Sequence, residues 1–180
     1  LTNGKACHGR SEFQAAGFCQ MVGDGSWRFQ LSQLNTKNLT LDRDLVSAFP
    51  DELAAGIAPL NLRGPLALDG AVELRKGPAV DDPVSSNWDF NIDIENGQLQ
   101  CGTTISNIHG EVRLVGAETE QGMYSRGELN IDSLMYHGFQ FTRLTGPIWI
   151  DRERVAFGAW ADQPRQGQPP RRLQATVLGG

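Results

Sequence analysis

The densest run of potential metal ligands in the chain is Asp89, Asn91, Asp93 and Glu95, with Gly97 close behind. Carboxylate and amide oxygens followed by a glycine carry the oxygen chemistry of a calcium loop. Such a loop must curl its ligands around the ion. Here Trp88, Phe90, Ile92 and Ile94 interleave with the acids at a period of two, which demands an extended strand. The row therefore reads as the solvated face of a strand, and Asp81 and Asp82, in a proline-containing loop, read the same way.

The remaining reactive side chains do not assemble into a catalytic pattern. Three cysteines are an odd number. Cys7 and Cys19 enclose a short loop that could be bridged in an oxidising compartment, but with His8 as the single nearby histidine they fit no tetrahedral zinc pattern. Cys101 falls at an inward position of a strand and reads as a small core residue. His8, His109 and His137 occupy loop-like or turn-adjacent positions without an acid or cysteine at ligand spacing. No serine-hydrolase elbow, zinc-protease helix motif, phosphate loop or dinucleotide fingerprint occurs. Gly23 and Gly25 in "VGDGSW" precede a strand and not the helix N-terminus that would hold a phosphate, so they are turn glycines. The chain is accordingly expected to be no enzyme and to carry no cofactor.

Bulk composition narrows the class further. The net charge is −5, and the 16 basic residues are spread along the chain apart from Arg171 and Arg172, which argues against a nucleic-acid partner. Glycine is abundant, 21 of 180 residues, and falls between short apolar alternations, the punctuation of a chain of many short strands. No apolar run has the length of a membrane-spanning helix. The chain starts at Leu1 and ends in the strand-like "LQATVLGG", so it is expected to be a piece of something longer.

Residues 1–26 read as a loop-rich N-terminal segment, 27–160 as one β-repeat domain with a helical insert near 42–58, and 161–180 as a proline-rich loop and a terminal strand. In the insert Asp42 is a helix N-cap, Leu45 and Phe49 fall at i and i+4, and Leu53 with Ile57 repeat that spacing after Pro50. Two short amphipathic helices should lie on a sheet. Elsewhere the period is two. "PLALDGAVEL" reads as two strands around an Asp69-Gly70 turn, and "NWDFNIDIENGQLQCGTTI" as a hairpin turning at Asn96-Gly97. That turn would place Ile94 opposite Leu99 and Ile92 opposite Cys101. "GPIWIDRERVAFGAW" should turn at Arg152-Glu153.

An internal repeat underlies this pattern. At an offset of 36, Gly102 superposes on Gly138, Ile105 on Phe141, Ile108 on Leu144, Gly110 on Gly146 and Val112 on Ile148; Leu62, Gly64, Leu66 and Leu68 give a third, fainter copy. The three-residue step from Ile105 to Ile108, and from Phe141 to Leu144, breaks alternation as a bulge does. A glycine follows each step, so the sheet should bend at the same place in each unit.

The order "SWRFQL", "NLTLD", a helical "LVSAFPDEL", "LNLRGPLAL" and then meanders of the type "ISNIHGEVRL" resembles the AsmA-like or TamB-like envelope proteins of diderm bacteria over roughly residues 27 to 160. The resemblance implies a long, curved antiparallel sheet of the β-taco type with a greasy groove, a periplasmic location anchored through a segment absent from this chain, and a part in lipid transfer or outer-membrane biogenesis. The fold expected is thus all-β with two short helices. The groove would be lined by Trp88, Phe90, Ile92, Ile94, Leu99, Ile105, Leu129, Ile131, Phe139, Phe141, Ile148 and Ile150. Its partners would be lipid acyl chains, with further repeats of the same chain or envelope proteins as neighbours. The competing expectation is a closed, non-catalytic β-sandwich for adhesion or glycan binding, for which outward aromatics would matter. Among the aromatics that could stack on sugars, Trp27, Trp88, Phe139, Phe141, Trp149 and Trp160, only Trp149 sits between inward residues and faces the other way.

Overall fold

A computed structural model describes residues 3–47, 61–100, 102–161 and 169–178. Ten strands form one curved, open, antiparallel sheet in which sequence neighbours are spatial neighbours. These are β1 (Gly4–His8), β2 (Ser11–Met21), β3 (Trp27–Leu39), β4 (Leu66–Lys76), β5 (Val84–Gln100), β6 (Thr104–Thr119), β7 (Gly122–Tyr136), β8 (Phe139–Asp151), β9 (Val155–Phe157) and β10 (Gln174–Leu178). The meander runs from β1 to β8, whose outer edge is shared by β9 at Ile148 to Ile150 and β10 at Gln140 to Thr145. The period-two sequence pattern is thus an all-β meander.

The repeat is written in the backbone. Asn107 and Arg143 both adopt left-handed φ values, 50° and 53°, and Gly110 and Gly146 follow three residues later at 140° and 150°. Asn61 and Gly64 show the same pair at 42° and 106°, so the third copy is geometric as well. Asn38 and Asn96 add left-handed residues in β3 and β5, beside register shifts in the ladders β3–β4 and β5–β6. Side chains on the two sides of these positions pack on one buried cluster of Leu39, Leu66, Ile94, Ile108, Leu129, Ile131 and Ile148: Ile105 and Leu99 from one side, Ile92, Val112 and Ile150 from the other. The sheet therefore folds toward its apolar face along a crease that runs across the strands.

Several expectations need correction. Asn96-Gly97 is no hairpin: β5 runs through it, Gly97 pairs with Ile108, and the chain reverses only beyond Gln100. Ile94 consequently faces Gly110 and not Leu99, Ile92 faces Val112, and Leu99 faces Ile105. Asn-Gly suits a bulge as well as a tight turn, because both require a left-handed residue. Asp69-Gly70 is likewise interior to the single strand β4. A tight two-residue turn lies instead at His137-Gly138, where both φ values are positive and Tyr136 pairs with Phe139. The N-terminal segment expected to be loop-rich forms β1 and β2, with Gly9 in their turn at φ 61°.

Other expectations hold. The Arg152-Glu153 turn and the terminal strand are present. Asp42 caps a helix, α1 (Arg43–Ser47), by accepting a hydrogen bond from the Leu45 amide at 2.8 Å, and Leu45 packs against the core. The second expected helix lies outside the described residues.

A candidate apolar groove and the polar face behind it

Antiparallel partners share a face, so the register sorts the side chains. One row along the crease reads Leu39, Leu66, Ile94, Gly110, Ile131 and Leu144. The next reads Thr36, Leu68, Ile92, Val112, Leu129 and Gly146, and a further one Leu31, Val72, Trp88, Gly116, Ser125 and Ile150. Beyond these the face becomes mixed, where Phe29 and Leu74 are followed by Ser86 and Glu118 and then by the buried Met123. The apolar face is thus graded, aliphatic at the crease, mixed at one rim where Ser86 and Glu118 enter, and aromatic at the other, where Ile105 is followed by Tyr136 and Phe139.

Burial follows the same gradient. Ile94, Leu129, Ile131 and Ile148 are buried at the crease; Trp88, Phe90, Ile92, Leu99, Ile105, Phe141 and Ile150 are half-buried, and Phe139 is 47% exposed. No large side chain among the described residues is fully buried, and among these residues Leu41, Leu45 of α1 and Leu62 add to one corner of the face. The expected groove residues therefore divide into a packed floor and open walls. Leu31, Val72, Leu74, Val112 and Leu114 line the same face but were absent from the expected set. Their alternation is visible in the sequence, but their placement depends on the long-range register.

Glycines shape the walls. Trp88 faces Gly116 and Phe90 faces Gly70, and a Cβ on either glycine would stand 2.5 Å from Trp88 Cε2 or 2.8 Å from Phe90 Cδ1. The rings lie over the glycine backbones, and the Trp88 indole donates to Ser125 Oγ at 3.2 Å.

The opposite face is polar. Asp89, Asn91, Asp93 and Glu95 stand on it, exposed, and Asp89 pairs with Arg113 at 3.0 Å. Glu73 is held by Arg75 and by Arg28, and both hydrogen bonds depress its pKa. Trp149 also lies on this side, stacked on Tyr124 with ring centroids 5.5 Å apart and planes 9° apart, and its indole donates to Asp151 at 3.1 Å.

Cys7 and Cys19 are free and exposed, which corrects the possible bridge. Cys7 pairs with Glu12, whereas Cys19 lies seven residues further along β2 on the other face, roughly 23 Å away at strand spacing. One constellation was not legible in sequence: His8 Nε2 lies 3.2 Å from Asp42 Oδ2, with Ser11 opposite His8 in the hairpin. Ser11 is buried and donates its hydroxyl to the Asn38 carbonyl at 3.0 Å, so its proton is committed to the backbone and not to the imidazole.

No family model matches the chain, and neither a curated protein nor a solved structure does.

Proposed function

We propose that this chain is a non-catalytic, lipid-handling segment of an AsmA-like envelope protein, periplasmic in location, whose apolar groove shelters acyl chains. The observation that carries this reading is the graded face itself: a continuous aliphatic and aromatic surface across the central strands, buried at the crease and half-exposed away from it, with Ser86 and Glu118 entering at one rim. An amphiphile matches that gradient, with its tail along the crease and its headgroup at the rim. Each methylene buried contributes about 0.8 kcal/mol. The single open sheet supports this reading over a closed sandwich, which would need a second sheet facing the first.

Native mass spectrometry of the purified protein, with solvent extraction and displacement of a fluorescent fatty acid, tests it. Co-purifying lipid and saturable displacement, weakened when Phe90 and Leu114 are replaced by glutamate, are expected. A lipid-free protein that displaces no probe would sink it.

A further inference from the structure

The polar face carries a second concavity. A depression of about 320 Å³ opens there, floored by the small side chains of Ala71, Val115 and Ala117 and walled by longer neighbours. Among the walls are Gln30, Asn87, Tyr124 and Arg126, together with Glu73 and Asp89. Its volume is at the lower end of small-ligand sites.

Charge decides what such a wall accepts. Glu73 is neutralised by Arg28 and Arg75, and Asp89 by Arg113, so both carboxylates are already engaged. Arg126 has no ion-pair partner among the described residues, which leaves a positive fork facing the depression beside two neutral amides. Tyr124 is 41% exposed, yet its ring is held by the stack on Trp149, which stands opposite Arg126 in the β7–β8 register. An aromatic ring fixed in advance loses little freedom on binding.

We propose that this depression binds one ring of a carboxylated sugar, a hexuronate residue. Tyr124 meets the C–H face of the pyranose, Gln30 and Asn87 exchange hydrogen bonds with ring hydroxyls, and Arg126 takes the carboxylate on its planar fork. Trp149 is a positioning residue, acting through Tyr124. The site lies on the face away from the groove, so it stands or falls separately from the acyl-chain reading.

Methyl β-D-glucuronide and methyl β-D-glucoside, which differ only at C6, provide the test by saturation-transfer NMR on the whole chain. The glucuronide is expected to bind at least about tenfold more tightly than the glucoside. Arg126→Gln should abolish that preference, and Trp149→Ala should weaken both sugars while thermal melting shows each variant folded. Asp93→Asn, elsewhere on the same face, should change nothing. Absence of transfer to the glucuronide, equal binding of the two sugars, or an unchanged preference in Arg126→Gln would overturn the proposal. So would tighter binding of glucose 6-phosphate, which would make the site one for phosphate.

Discussion

The indole of Trp88 lies over the backbone of Gly116, so close that a Cβ on that glycine would stand 2.5 Å from its Cε2 and Cζ2. Gly116→Val should therefore destabilise the fold by about 3 kcal/mol, since the Tyr124 carbonyl oxygen would stand 2.4 Å from the new Cβ and the ring cannot shift without losing its hydrogen bond to Ser125. Trp88→Phe, which keeps a ring and removes that bond, should cost about 1 kcal/mol. Urea denaturation followed by far-UV circular dichroism separates the two, and equal costs would contradict the packing described.

The crease makes opposite demands at positions three residues apart. Gly110 sits at φ 140° with Ile131 Cα 2.6 Å from where its Cβ would be, so Gly110→Ala should cost about 2–3 kcal/mol. Asn107, left-handed at φ 50°, should accept glycine with a change within about 0.5 kcal/mol. Thermal melting of the two variants is the measurement.

Acid should loosen the sheet at Asp151 and Asp42 in addition to Glu73. Asp151 accepts from the Glu153 and Arg154 amides at 3.0 Å each, from the Trp149 indole and from the Arg154 side chain; these bonds, the Glu153 amide foremost, hold its pKa below the ordinary value. The Leu45 amide, and to a lesser degree His8, does the same for Asp42. A carboxyl whose folded pKa is depressed stabilises fully above its unfolded pKa, and the contribution is lost as pH falls through the folded value. Stability should therefore fall as pH drops below about 5 and on through the depressed folded values, and Asp151→Asn should flatten that fall while lowering stability at neutral pH. A wild-type slope in the variant would count against the assignment.

Cys7 and Cys19 should stay unbridged in the folded protein under air. Non-reducing peptide mapping should show no link between them, and both should react with a thiol reagent without prior unfolding.

The meander was legible because strand alternation survives without long-range information. Trp88, Phe90, Ile92 and Ile94 announce both the strand and its inward face. Strand length was not legible. β5 and β6 run for 17 and 16 residues, about three times the usual strand, so Asn96-Gly97 and Asp69-Gly70 read as turns where the chain merely bends. The groove residues were visible one by one, but the split between a buried Ile94 and an open Phe90 depends on distance from the crease, a property of the folded sheet. Trp149 could be assigned outward from its neighbours alone. Its partner Tyr124, 25 positions earlier, follows only once His137-Gly138 is taken as the turn, from which the register runs unbroken to Tyr124 and Asp151; His-Gly is a weaker turn signal than the Asn-Gly and Asp-Gly pairs that misled.

The left-handed residues of the crease line up from strand to strand, so the groove follows the direction in which strands are added. At about 4.8 Å per strand, the six strands from β3 to β8 that carry its rows give it a run of roughly 24 Å. Its length is then a count of strands, while its cross-section is fixed by where in each strand the left-handed residue falls. On the acyl-chain reading proposed above, capacity would thus grow by accretion of further hairpins without any change in what a bound chain meets at a given point along the gutter.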